Sequence, residues 1–395
     1  MDRRSFVATT AATFAAAKVH VHTPGDPLGV RDDFPITAQR TYLNSAYIAP
    51  VPRAVVQAGA EFLENKSKRP LEVGELLGGD GKLRSQFAQL VNASPDEVGL
   101  LFSTAEGENI IAQGMELRAG DNVVIDDLHY PTEFVLYRAL EASKGIELRI
   151  ARNRDGAVSV TDFEPLVDDK TRIVSVAWVS HLNGFRHDLR PLADLAHAHG
   201  AVLYADVIQG LGTIELDVQA AGVDAVCAGS YKWMLAGFGV APFYIRKEVL
   251  ERLKIDRYGE FQVEKELPDY HFELDQTARK FDYCSRAFGP VKELSAALTY
   301  LQGVGVGRIE AHTVALGQRL HDGLTRQGHK LFTPPGNRSP IVTMFTPKPM
   351  ADVRKAFQGA SVDVTVRDGQ IRIAPALFNT EEEIDRCLEV TKGLV

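Results

Sequence analysis

Cysteine is scarce: 395 residues hold three, Cys227, Cys284 and Cys387, and no two form a CxxC pair. A disulfide framework and a structural zinc site therefore have no supporting pattern. No apolar run is long enough to span a bilayer. Basic residues form no stripe, and the net charge of −8 comes from Asp and Glu spread along the chain. Nucleic acid is not an expected partner. There is no HExxH pair and no Ser-centred elbow, and Gly81-Lys82 lacks the rest of a Walker loop. Gly303-Val304-Gly305-Val306-Gly307 has no strand before it, so it reads as a loop between helices rather than a dinucleotide fingerprint. His197 and His199 lie two apart on one helix and face apart. No metal site is expected.

What is present is an ordinary soluble composition, 45% hydrophobic and 24% charged, in a chain long enough for two domains. The N-terminus reads Met1-Asp2-Arg3-Arg4-Ser5-Phe6, then small and weakly apolar residues to Ala17. A twin arginine before such a segment fits a Tat-type export signal, which would make the mature protein periplasmic. The plainer reading is a basic start and an Ala-rich frayed helix. Residues 1–25 are taken as leader and linker.

From about 53 to 250, helical periodicity alternates with short β-branched runs. Strands are expected at 98–102, 122–125, 147–151, 172–179, 201–205, 223–228 and 240–245. Helices are expected at 53–66, 81–92, 107–116, 132–143, 161–168 and 189–199. Such alternation implies an α/β fold, a mostly parallel sheet covered by helices on both faces. After about 285 two long helices, 290–302 and 306–327, precede short strands at 340–346, 362–366 and 370–374. A final helix begins at Thr380, with Glu383 three residues on as a capping box. The divisions are 26–52 as an N-terminal segment, 53–285 as a large domain and 286–395 as a smaller α+β domain. A cleft between two domains is a common ligand site.

The chemistry concentrates in Ala201-Val202-Leu203-Tyr204-Ala205-Asp206 and in Gly229-Ser230-Tyr231-Lys232-Trp233. Asp206 ends one apolar strand and Lys232 follows the next, so both belong at the carboxyl edge of the sheet, where ligands bind. A lysine amine there can form a Schiff base with an aldehyde. A carboxylate can keep a pyridine nitrogen protonated so that the ring accepts electrons. Pyridoxal 5′-phosphate suits such a pair. Taken alone, a capping Asp and a surface Lys would explain both residues.

Set beside the other motifs, in their order, the chain resembles the class V aminotransferase family of fold-type-I pyridoxal-phosphate enzymes over residues 40–394. The family includes cysteine desulfurases, isopenicillin-N-epimerase-like proteins and C–S lyases. The resemblance implies a seven-stranded sheet and a homodimer with shared active sites. Tyr42-Leu43-Asn44-Ser45-Ala46-Tyr47 resembles an N-terminal stretch that reaches the substrate, through Asn44 and Tyr47. Ser103-Thr104-Ala105-Glu106-Gly107 resembles the phosphate loop, with Thr104 and Ala105 as contacts. Backbone N–H groups at a helix N-terminus suit a dianion. Tyr130 takes the ring-stacking position and Ile208 the opposite face. In Ser180-His181-Leu182-Asn183-Gly184, Asn183 is matched to the residue that bonds the ring hydroxyl, with Gln209 as its partner. Asp206 is matched to the ring-nitrogen carboxylate and Lys232 to the Schiff-base lysine. Ser230 and Tyr231 fall beside the phosphate, and Ser285 would reach the neighbouring subunit's phosphate. Arg372 matches the arginine that grips the substrate carboxylate, for which a planar guanidinium fork is suited.

These residues imply an enzyme acting at Cα of an amino acid, with Lys232 as base. C–S β-elimination is expected slightly ahead of amino transfer. Epimerisation and a non-catalytic cofactor-binding role are the alternatives. Cysteine desulfuration is disfavoured, because Val366-Arg367-Asp368-Gly369-Gln370 is short and has no Cys where those enzymes carry their nucleophile.

Overall fold

The computed structural model describes residues 25–395. The export-leader expectation lies, but for Gly25, outside the described residues. Seven strands make the central sheet: β1 (Val98–Leu101), β2 (Asn122–Asp126), β3 (Glu147–Ala151), β4 (Thr171–Ala177), β5 (Val202–Asp206), β6 (Ala225–Cys227) and β7 (Ala241–Ile245). Their order is β1-β7-β6-β5-β4-β2-β3. Only β7 runs antiparallel to its neighbours. The remaining pairs are parallel. The β-branched runs thus form the expected mostly parallel sheet. Nearly all its residues are buried, as helices on both faces require.

Two helices depart from their predicted bounds for visible reasons. The helix predicted at 161–168 is one turn, Val160–Phe163, because Pro165 cannot continue it. The helix predicted at 81–92 starts earlier, at Val73, and runs through Gly78, Gly79 and Gly81 to Val91. Packing against helix Phe288–Val304 outweighs the poor propensity of those glycines.

Residues 255–280, unread in the sequence, contain a hairpin of β8 (Val263–Leu267) and β9 (His271–Leu274). The C-terminal part holds a three-stranded antiparallel sheet. Its strands are β10 (Val342–Phe345), β11 (Thr365–Arg367) and β12 (Gln370–Ile373), with β12 in the middle. Leu316, Leu320, Met344, Ile371, Ile373 and Ile384 form its core. Thr41–Tyr42 pairs in parallel with Val362–Asp363, and Leu43 enters the same core. The N-terminal segment is thereby laid across the small sheet and onward to the large one.

Among the described residues no helix is long and apolar enough to cross a membrane.

Candidate active site

The carboxyl edge of β2, β4, β5 and β6 collects the polar residues that the sequence singled out. Asp206 is the last residue of β5, buried at 6% exposure. One of its oxygens accepts the Ile208 N–H at 2.9 Å. Burial pushes its carboxyl up, against the pull of that N–H, His129 and Lys232. Lys232 follows β6 and is 7% exposed. Burial lowers its amine from 10.5 to about 8, with Asp206 opposing and Arg372 assisting. It makes no hydrogen bond or ion pair among the described residues. Its nearest aromatic neighbour is Tyr231, 5.7 Å from amine to ring centre. Asp206 and Lys232 thus feel each other without closing into a salt bridge, as two groups at different atoms of one ring would have to do.

Helix Thr104–Gly114 points its N-terminus at this edge. Ser103 caps it through the Glu106 N–H, and Glu106 returns the bond to the Phe102 N–H at 2.8 Å. The helix begins three residues before its predicted start because of that reciprocal cap. Thr104 and Ala105 therefore sit in the first turn, where N–H groups have no partner within the helix. Thr104 Oγ1 accepts the Gly229 N–H at 2.8 Å, tying the helix start to the Lys232 loop. The helix lies so close to β6 that a Cβ at Gly107 would stand 2.6 Å from Cys227 Cβ. Arg257 adds a cation here, bonded to Glu106 at 2.7 Å and lying over the Tyr283 ring.

Arg372 comes from β12. It is 8% exposed, and no carboxylate pairs with it among the described residues. Its Nη1 donates to the His181 carbonyl at 2.6 Å and its Nη2 to Thr365 Oγ1 at 3.3 Å. Its Nε has no hydrogen-bond partner among the described residues. Burial and Arg367 lower it from 12.5 to about 10. Thr365 Oγ1 in turn donates to Asn44 Oδ1 at 2.7 Å. Asn44, Thr365 and Arg372 are one connected set, and Asn44 and Tyr47 line a cavity of about 340 Å³ with Thr365 and Val366. Tyr130 is 45% exposed, with its ring edge-on to His181 at 5.0 Å.

Other expectations are placed differently. Asn183 is fully buried, and its amide is fully occupied. Its nitrogen donates to the Gly156 and Phe332 carbonyls at 2.7 and 3.2 Å, and its oxygen accepts the Phe185 N–H. It fastens the loop after β4 to two other loops, and in this arrangement both amide hydrogens are taken. Gln209 is partly occupied: its oxygen accepts from Trp233 Nε1 and its nitrogen donates to the Ala46 carbonyl. Only one of its hydrogens is free. The Ser230 hydroxyl donates to the Gly237 carbonyl and holds the Lys232 loop. The Tyr231 ring stacks on Phe238 at 4.2 Å. Ile208 packs beside Gly229. Ser285 is exposed.

Three residues escaped the sequence reading. His181, two before Asn183, is the residue of its segment that faces Arg372, Lys232 and Tyr130. His129 lies beneath Tyr130, its Nδ1 accepting the Tyr130 N–H at 2.8 Å and its Nε2 3.0 Å from Ser175 Oγ. Ser175 donates to Glu108 at 2.6 Å, as does Tyr137 at 2.8 Å. Burial and the neighbouring Glu108 push the Glu133 carboxyl up. Glu108 carried a signal: it lies one turn after Thr104 on a helix face otherwise turned to the core. For His181 nothing in the spacing separated it from Asn183.

A buried aldehyde-reactive amine, a buried carboxylate at a strand end and an open helix N-terminus fit pyridoxal phosphate. Comparison with known proteins agrees. The family described as Aminotransferase class-V matches residues 41–386. An uncharacterized aminotransferase of Bacillus subtilis, YcbU, is 25% identical over 92% of this chain and 96% of its own. A cysteine desulfurase of Klebsiella pneumoniae is 28% identical over 90% of this chain and 95% of its own. The solved complex of the cystine C–S lyase C-DES with cysteine persulfide superposes with a TM-score of 0.84 at 19% identity, covering 91% and 99% of the two chains. The chain belongs to the class V aminotransferase family of pyridoxal-phosphate-dependent enzymes.

Proposed function

We propose that this protein acts at Cα of an amino acid with Lys232 as its base, and that C–S β-elimination is its reaction ahead of amino transfer. The observation that carries the reading is a pair of buried cations, Lys232 and Arg372, with no carboxylate bonded to either among the described residues. An anionic, aldehyde-bearing cofactor and a carboxylated substrate supply what both lack. When bound, pyridoxal phosphate provides an electron-poor ring that takes up the pair released at the substrate carbon. Asp206 holds the proton at the ring nitrogen. The first turn at Thr104 and Ala105 offers N–H groups to the phosphate. Arg372 grips the substrate carboxylate through Nε and Nη2. That grip, with Thr365 and Asn44 behind it, fixes which Cα bond faces the ring. The Lys232 amine, held near neutrality by burial, takes the Cα proton.

Persulfide-forming desulfuration needs a thiol that can approach the substrate sulfur. Asp368 and Gly369 close β11 to β12 in two residues, with φ of 52° and 75°. That is the tight hairpin favoured by Asp-Gly, with no length to carry a nucleophile and no cysteine in it. Cys227 and Cys387 are buried inside their elements. The desulfurase names among the relatives are read as shared ancestry of the site. The C–S lyase name of the solved neighbour supports elimination.

As part of the same proposal, the enzyme is a homodimer in which Ser285 meets the partner's phosphate, and it is exported by its twin-arginine leader. Pyruvate formed from cysteine or cystine would support elimination. Consumption of a keto acid without pyruvate would replace it with amino transfer. Solvent deuterium at Cα without net product would replace it with epimerisation.

A further inference from the structure

His181 is 6% exposed, and neither ring nitrogen has a hydrogen-bond partner among the described residues; Nδ1 is closed off from solvent. A buried polar atom left unpaired is rare and costly, so it calls for a ligand or a strain to explain it. The main chain of the same residue is firmly used, since its carbonyl accepts from Arg372 Nη1 at 2.6 Å. The unpaired imidazole and the unpaired Nε of Arg372 therefore belong to two residues joined by a hydrogen bond. Tyr130 covers the ring edge-on.

We propose that His181 is a second donor for the substrate carboxylate beside Arg372, and that it acts as a neutral imidazole. This rests on the reading of Arg372 as carboxylate binder. The groups facing the ring all oppose a charge on it: Arg372 from β12, Arg367 from β11, Lys232 from the loop after β6 and His129 from the loop after β2. Burial adds to them and lowers the imidazole to about 3. A neutral ring still carries one N–H. It adds a directed hydrogen bond without a further positive charge, which suits a monoanion such as a single carboxylate.

The test uses holoenzyme whose cofactor has been fixed by borohydride, with pyridoxyl fluorescence reporting the binding of propionate. Propionate has the carboxylate but no amine, so no chemistry intrudes. His181→Phe should weaken propionate about 5- to 10-fold, the worth of one hydrogen bond. His181→Gln, which restores an N–H, should bind within about 2-fold of wild type, and its pH profile from 6 to 8 should match that of wild type. Undiminished binding by a folded His181→Phe protein would overturn the inference. So would an affinity that climbs towards pH 6 in wild type but not in His181→Gln, because that demands an imidazolium. Arg372→Ala binding propionate as well as wild type would instead remove the parent reading.

Discussion

Two groups of polar residues gathered at this edge of the sheet are of similar types and finished differently. In one group Asn183, Gln209, Ser230 and Thr104 direct their side chains onto backbone groups of neighbouring loops. In the other, Lys232, Arg372 and His181 are also buried but hold nitrogen atoms that meet no hydrogen-bond partner among the described residues. Polar groups of the first kind stabilise a fold. Those of the second kind are maintained at a cost, and function is the usual reason for bearing it. The contrast sets Asn183 with its occupied amide apart from His181 with its unpaired ring, although both follow the same strand.

The sharpest way to break the contrast is at Lys232. Lys232→Ala should reduce turnover roughly 10³-fold or more, since it removes both the covalent anchor and the base. Lys232→Met should do the same to turnover yet stabilise the cofactor-free protein. Lowering the amine from 10.5 to about 8 corresponds to roughly 3 kcal/mol of unfavourable burial at neutral pH. Urea unfolding of the cofactor-free proteins measures it. A lower midpoint for the methionine variant would place Lys232 among the scaffold residues after all.

Arg372 is next. Arg372→Ala should lower kcat/KM about 10²- to 10³-fold, mostly through KM, as loss of a buried charged contact does. Arg372→Lys should recover little of it, because an ammonium cannot reproduce the fork. Unchanged kinetics would make the arginine a structural link between β12 and the His181 carbonyl.

A smaller effect concerns pH. The neutral amine is the form that attacks an aldehyde, and burial lowers Lys232 to about 8. Attachment of pyridoxal phosphate to the cofactor-free protein should therefore speed up about tenfold between pH 7 and pH 9 and then level off. Stopped-flow absorbance would show it. A rate still climbing steeply at pH 10 would mean that the amine titrates as an exposed lysine.

Much of this was legible in the sequence. Asp206 and Lys232 could be read because strand ends in a parallel sheet have a known chemical address, and the apolar runs before each are unambiguous. Arg372 was reached through the family resemblance of the strand that carries it. What stayed hidden depended on contacts distant in sequence. Asn183 looked available because nothing local reveals that Gly156 and Phe332 come to meet it. The helix from Val73 was cut short because its glycines argue against a helix until Phe288–Val304 is packed upon it. The hairpin at 263–274 could not be read at all, since its charged and largely exposed strands lack the alternation that marks a half-buried sheet.

The scaffold side makes the smallest prediction and the one most specific to the comparison. Asn183→Ala removes three hydrogen bonds and leaves the Gly156 and Phe332 carbonyls and the Phe185 N–H without their partner in a buried place. A stability loss of roughly 1–3 kcal/mol follows, visible as a lower urea midpoint. Gly156 lies so close that a Cβ added there would stand 2.1 Å from the Phe332 carbonyl. These loops therefore have no room to shift and re-pair. The affinity for pyridoxal phosphate and the absorption of the bound form should stay as in wild type, because no atom of the Asn183 amide is free to touch the ring. A shifted absorption with unchanged stability would reverse the assignment: the amide would have to turn towards the cofactor on binding, and the loop contacts seen here would be the resting arrangement of a catalytic residue.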